Sequence, residues 1–285
     1  MNTLNVVSKD GAAIQVYVYK TEEKTPKGIV IVSHGFGEHY GVYVELARHL
    51  ERAGYACILF DQRGHGVYPD NVKKRFGVIK SYQCFLDDID AIAAQARNIM
   101  PNVPLILYGH SMGGNIVINY LLKVDSRYAC AVLESPWLGL SKGPSPLIIS
   151  LVKLASHVVP DVTIVNKLTV SDISSDPVRS QCYVTDQLYH NRISLRMFTG
   201  IDNGCKYALE NAARFPVPAF IAYAANERII SNKAILQFID NAKNIAEVRS
   251  YESCHAIHND KKCEEYFQDV IAFLEKRCPG IGPNT

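Results

Sequence analysis

The sequence predicts an α/β protein: an open, mainly parallel sheet of about eight strands, flanked by helices, with a helical cap inserted late in the chain. Three observations predict it. Short apolar, β-branched runs alternate with segments whose apolar residues recur at helical spacing, as expected for strands buried on both faces of a parallel sheet. One such run, 105–110, passes directly into Gly109-His110-Ser111-Met112-Gly113 and then into a helical pattern at Ile116, Val117, Tyr120 and Leu121. The alternation lapses between 137 and 209 and then resumes.

The elements follow in order. Residues 4–8 and 14–19 read as two strands around Lys9-Asp10-Gly11, a hairpin signal. The run 28–33 is a buried strand ending in His34-Gly35-Phe36-Gly37-Glu38-His39, and Tyr43, Leu46, Ala47 and Leu50 give the next helix its apolar face. The strand 56–60 leads into Asp61-Gln62-Arg63-Gly64-His65-Gly66. A helix carrying Phe85, Ile89, Ile92, Ala96 and Ile99 stops before Pro101 and Pro104. After the strand 129–134 and Ser135-Pro136, prolines 144, 146, 160 and 177 punctuate the stretch 137–209, which holds an apolar helix over 147–159. Alternation returns with a strand at 219–223, a helix capped by Ser231, a strand at 248–251 and a last helix bearing Tyr266, Phe267, Val270, Ile271 and Leu274. The expected division is a core of 1–136 and 210–285 with a cap of 137–209.

Composition narrows the function classes. The 285 residues are 48% hydrophobic, enough for a substantial core, and the net charge of +2 points to no nucleic-acid partner. No run is long and apolar enough to span a membrane, and the N-terminus has no basic and apolar signal pattern. Eight cysteines without a Cys-x-x-Cys pair fit reduced thiols in a cytoplasmic protein.

Gly-x-Ser-x-Gly alone turns up by chance in about one chain of this length in ten, so its context decides. Between a strand and a helix it is a nucleophile elbow, with the serine exposed at the tip of a strained turn and glycines where the two elements pass closely. A serine hydroxyl needs a base, and the base an orienting acid; at such an elbow the chain order is serine, acid, histidine. His255, after the last strand, is the candidate base. Glu227, after the strand before it, is the candidate acid, with Glu134 as its rival. The backbone N–H of Met112 and one from the 34–37 loop, Phe36 for preference, are the candidate oxyanion donors. The pair His255 and His258 with Cys254 lacks a regularly spaced third ligand, and the glycine-rich segments match neither a P-loop nor a dinucleotide site. No metal or cofactor is expected.

These segments resemble the monoacylglycerol lipases of the serine α/β-hydrolase superfamily, in the branch that includes lysophospholipases and serine aminopeptidase-like hydrolases. The likeness rests on Ser33-His34-Gly35-Phe36-Gly37-Glu38-His39, Asp61-Gln62-Arg63-Gly64-His65-Gly66, Gly109-His110-Ser111-Met112-Gly113-Gly114 and Cys254-His255-Ala256-Ile257-His258, and covers nearly the whole chain, cap included. It implies an α/β-hydrolase fold, Ser111 as nucleophile, His255 as base, Phe36 and Met112 as oxyanion donors, and Glu38 and His258 near the alcohol end of an acyl ester. There are two departures. The family usually has aspartate where Glu227 stands, with a glycine-bearing loop before it, and an arginine where Val42 stands.

The expected function is therefore a serine carboxylester hydrolase acting on a small-molecule acyl ester of the monoacylglycerol or lysophospholipid type. The helix over 147–159 is more apolar than one core stripe requires, which suggests an acyl tunnel, with Leu151 and Leu154 setting chain-length preference, or peripheral contact with a membrane. The alternatives are a thioesterase, an amidase, or an aminopeptidase using a cap carboxylate (Asp161, Asp172, Asp176 or Asp186), and a non-catalytic ligand-binding relative.

Overall fold

The computed structural model describes residues 1–23, 25–67, 75–166 and 168–280. Its central sheet has eight strands in the order β1-β2-β4-β3-β5-β6-β9-β10. These are β1 (Asn2–Val7), β2 (Ala13–Tyr19), β3 (Ile29–Ser33), β4 (Ala56–Phe60), β5 (Leu105–His110), β6 (Cys130–Glu134), β9 (Ala219–Ala224) and β10 (Ile245–Tyr251). The hairpin β1–β2 joins β4 antiparallel, and every later pairing is parallel.

Side chains of a strand alternate between faces, and here both faces are covered. Ile29 and Ile31 of β3, with Leu105 and Leu107 of β5, belong to a core shared with α2 (Gln83–Ile99), α3 (Met112–Lys123), α7 (Leu195–Glu210) and α8 (Asn232–Asn241). Val30, Val32, Ile106 and Tyr108 point the other way, into a core with α1 (Val44–Arg52) and α9 (Cys263–Arg277). This explains why the parallel strands read as unbroken apolar runs. Ser231 caps α8 by accepting the Ala234 N–H, as its position suggested.

Between β6 and α7 the chain builds the cap. It holds α4 (Pro146–Val158), the ribbon of β7 (Thr163–Val165) and β8 (Arg192–Ser194), and the short helices α5 (Val170–Ile173) and α6 (Cys182–Thr185). Ser145 caps α4 by accepting the Ile148 N–H, with Pro146 in the first turn. The cap is fastened at several points. Arg179 forks onto Glu45 at 2.6 and 3.0 Å, His39 meets Asp186 at 2.7 Å, and the His190 N–H donates to Gly37 O at 3.0 Å.

The expected cap of 137–209 took in α7. The packing argues otherwise: Met197, Ile201, Cys205 and Ala208 are buried in the core beneath the sheet. Gly200 and Gly204 let α7 lie close, since a Cβ there would stand 2.7 Å from Tyr82 Cβ and 2.6 Å from Asn115 Oδ1. On this packing we draw the insertion at 137–194.

Candidate active site

At the carboxyl ends of the strands, β5 turns into α3 around Ser111. The serine has φ 51° and ψ −114°, in the left-handed half of backbone space that costs a side-chain-bearing residue energy. The flanking glycines make this turn physically possible. A Cβ on Gly109 would sit 2.6 Å from Gly113 O, and one on Gly113 would sit 1.9 Å from Ser33 O. The serine is thereby held at the N-terminus of α3.

The loops after β9 and β10 bring two more groups to it. His255 Nε2 lies 2.8 Å from Ser111 Oγ, and His255 Nδ1 lies 2.7 Å from Glu227 Oε2. The other oxygen of Glu227 accepts the N–H groups of Ile229 (2.8 Å) and Ile230 (3.2 Å). Burial alone would raise the Glu227 carboxyl, but the charge and hydrogen bond of His255 and these two N–H groups draw it below its ordinary value. Burial would likewise lower His255, and the Glu227 carboxylate more than offsets it, leaving the imidazole raised. The extra methylene of glutamate is accommodated because Glu227 is anchored by its own loop.

The start of the 34–37 loop passes beside the elbow, where a Cβ on Gly113 would stand 2.7 Å from His34 O. His34 stiffens it: Nε2 accepts the Gln62 N–H at 2.9 Å, while Nδ1 lies 2.8 Å from Gly35 O. Burial lowers the His34 pKa, favouring the neutral ring that this arrangement needs. Among the described residues, no protein acceptor is paired with the backbone N–H of Phe36 or of Met112. Unsatisfied N–H groups near a nucleophile are what an incoming oxyanion requires.

Glu134, the rival acid, has other partners. One oxygen accepts from the His258 N–H (3.0 Å) and lies 2.9 Å from His258 Nδ1; the other bonds Tyr108. His258 stacks on Tyr43 with ring centroids 4.5 Å apart and does not line the cavity at the serine. Glu38 does line it, as does His110, which precedes Ser111 in the chain and so falls outside the serine, acid, histidine order. The His110 ring lies 4.8 Å from that of His255, and burial pushes its pKa down to about 4, so it is neutral.

That cavity has a volume of about 660 Å³ and is mainly apolar. Its lining includes Ser111, Glu38 and His110, then Trp137, Phe198 and Ile193, and Ile148 and Val152 of α4. Leu151 and Leu154, expected to govern chain length, do not line it; they point outward with Leu147 and Val158, spaced four, three and four residues apart. Helix α4 therefore carries two apolar stripes, one facing the cavity and one facing solvent.

Among the described residues, two clusters have donor atoms close enough to share a cation: buried His110, Glu134 and His258, and the more open Glu45, His49 and Glu264. In the first, the Glu134 carboxylate is already saturated by His258 and Tyr108; in the second, Glu45 is taken by Arg179. Cys254 instead contacts Ser171 O, and joins neither cluster. No helix among the described residues is long and apolar enough to cross a membrane.

The sheet order and the serine elbow define an α/β-hydrolase, an enzyme of the hydrolase class. The chain belongs to the serine aminopeptidase S33 family, whose profile matches residues 24–262. It is 26% identical over 262 residues to a monoacylglycerol lipase of Mycolicibacterium smegmatis, covering 91% of this chain and 92% of that one. It is 29% identical over 277 residues to an abhydrolase domain-containing protein of Dictyostelium discoideum, covering 96% of this chain but 29% of that much longer protein. A soluble variant of Saccharomyces cerevisiae monoglyceride lipase, solved with a substrate analog, shares the fold with a TM-score of 0.85 at 23% identity, over 98% of this chain and 97% of that one.

Proposed function

We propose that this chain is a serine carboxylester hydrolase that cleaves medium- or long-chain acyl esters of the monoacylglycerol or lysophospholipid type. The observation that carries the proposal is the hydrogen-bonded line from Glu227 through His255 to Ser111, at the head of an apolar cavity. Relatives named as monoacylglycerol lipases support the same substrate class.

In this mechanism Ser111 Oγ attacks the ester carbonyl carbon as its proton passes to His255 Nε2. Glu227 holds the ring in the tautomer with Nε2 free to accept and stabilises the imidazolium. The carbonyl oxygen, now negative, takes the N–H groups of Phe36 and Met112. The carbon–oxygen bond to the alcohol breaks and His255 protonates the leaving oxygen. Water, activated by His255, then releases the acid from Ser111. The side chains of Ile148 and Val152 take the acyl tail, and Glu38 faces the alcohol.

The aminopeptidase reading has less support. Among the described residues, no cap carboxylate lines the cavity. Asp161 pairs with Arg75, Asp172 caps its own helix, Asp176 accepts the Val178 and Arg179 N–H groups, and Asp186 meets His39. The outward stripe of α4 supports peripheral contact with a lipid surface, where the substrate would be found.

Hydrolysis of p-nitrophenyl esters from acetate to palmitate, with Ser111→Ala as control, tests the proposal. Ser111-dependent activity should peak at medium or long chains, whereas activity confined to acetate would contradict the acyl-chain assignment.

A further inference from the structure

Two basic side chains, Lys142 and Arg228, line the cavity, and among the described residues neither forms an ion pair with Glu38. Glu38 and Glu134 are both buried, and burial alone would raise both carboxyls. The rings of His110 and His258 and the Tyr43 hydroxyl nevertheless hold Glu38 below its ordinary value. His258 and His110 hold Glu134 down at about 2. Both are therefore ionised at neutral pH. Burial would lower His258, and Glu134 more than offsets it, leaving that ring raised, whereas burial pushes His110 down to about 4 and leaves it neutral. Among the described residues, no lysine or arginine forms an ion pair with either carboxylate.

The two carboxylates are not equally engaged. Glu134 is saturated, whereas Glu38 divides its bonds unevenly. Its Oε2 accepts the Gly35 N–H at 2.8 Å and the Tyr43 hydroxyl at 2.6 Å. Its Oε1 has only the Tyr183 hydroxyl, at a long 3.4 Å. Glu38 lines the cavity while being 3% exposed, so a charged acceptor with spare capacity faces the substrate space in a site of low polarity.

Aromatic faces stand beside it. Tyr189 lines the cavity, and its ring edge comes within 3.7 Å of where a Cβ on Gly37 would stand, next to Glu38 in the chain. Tyr183 and Tyr189 meet edge to face with centroids 5.1 Å apart. Phe36 and Trp137, 6.5 Å apart, also line the cavity. An ionised carboxylate bordered by aromatic rings attracts an ammonium group through both charge and ring quadrupole. A neutral polyol gains only the hydrogen bond.

The position of Glu38 also identifies which half of the substrate would carry that group. The leaving oxygen must come within reach of His255 Nε2 to be protonated, and His110, which lines the cavity with Glu38, lies against His255. The apolar side chains of the lining, among them Ile148, Val152, Ile164 and Leu168, suit the acyl tail.

We propose that the preferred ester is one whose leaving alcohol bears an ammonium group, such as an acyl ester of choline, seated between Glu38 Oε1 and the tyrosine rings. The inference rests on the ester-hydrolase reading above. The chemistry is unchanged: water adds, the carbon–oxygen bond breaks, and a carboxylic acid and an amino alcohol leave with the nitrogen untouched.

The test compares kcat/KM for decanoylcholine and for dimethylbutyl decanoate, its uncharged carbon isostere. The cation should be preferred by about tenfold or more, a difference of about 1.4 kcal/mol in transition-state stabilisation. Glu38→Gln should bring the ratio close to one whatever happens to the absolute rates, because damage to the loop affects both esters alike. Tyr189→Leu should lower it part of the way. In the unaltered protein, choline should slow fluorophosphonate labelling of Ser111 at concentrations where dimethylbutanol does not. A ratio near one with steady Ser111-dependent turnover of p-nitrophenyl decanoate would overturn the inference and leave the hydrolase reading standing. Absence of Ser111-dependent turnover of all three esters would overturn both.

Discussion

Exchanging Glu227 for glutamine isolates its charge from its shape. The amide oxygen of the new side chain can keep the N–H bonds from Ile229 and Ile230, now 2.8 and 3.2 Å long. The amide NH₂ then faces His255 Nδ1 across the present 2.7 Å contact. Because NH₂ only donates, Nδ1 must accept, and the ring proton moves to Nε2. Nε2 then points a proton at Ser111 Oγ and cannot take one away. The expected loss in kcat is about 10⁴-fold, some 5 kcal/mol of transition-state stabilisation.

The pH profile provides a separate readout. Activity needs neutral His255, so it falls as pH drops through a pKa that Glu227 raises. Removing that charge should move the acid limb to lower pH. Fold stability should hardly change, with a melting-temperature shift of no more than about 4 °C. Steady-state kinetics on p-nitrophenyl decanoate, with circular dichroism melts, would check all three. A loss below tenfold, or an acid limb that stays in place, would refute the reasoning.

Other consequences follow from the same geometry. Gly113→Ala forces a Cβ to within 1.9 Å of Ser33 O and should cost about 3 kcal/mol or more, seen as a lower urea midpoint. His258→Ala leaves the Glu134 charge buried without its imidazole and should cost about 3–5 kcal/mol, measured the same way. Because the folded-state pKa of Glu134 is depressed to about 2, its stabilising contribution is present above the ordinary carboxylate range and is lost as pH falls towards about 2; acid titration of the melting temperature reads this out. Val152→Trp should shorten the preferred acyl chain, whereas Leu151→Glu with Leu154→Glu should abolish vesicle binding yet spare hydrolysis of soluble short esters.

The sequence made the sheet and the serine legible because both leave local marks. A strand buried on both faces must be apolar throughout, and the close pass at Ser111 must be flanked by glycine. His255 and Glu227 were reachable through chain order, since each follows a strand whose end is fixed by the sheet. The buried group of His110, Glu134 and His258 was not legible. Its members lie on three separate elements, and only folding brings them together. The expected cap of 137–209 takes in α7 because strand–helix alternation lapses over that whole stretch; the close packing of Gly200 and Gly204 against Tyr82 and Asn115 is visible only in three dimensions. Helix α4 announced its excess of apolar residues, but periodicity alone could not say which stripe faced the cavity.

The central claim is that Ser111 is a nucleophile activated through His255. Labelling with an alkyl fluorophosphonate, read by intact mass and peptide mapping, tests it most directly. The account predicts one adduct per chain, on Ser111, with loss of esterase activity in proportion and no labelling in Ser111→Ala. Failure to label, or an adduct on another residue with activity retained, would contradict it.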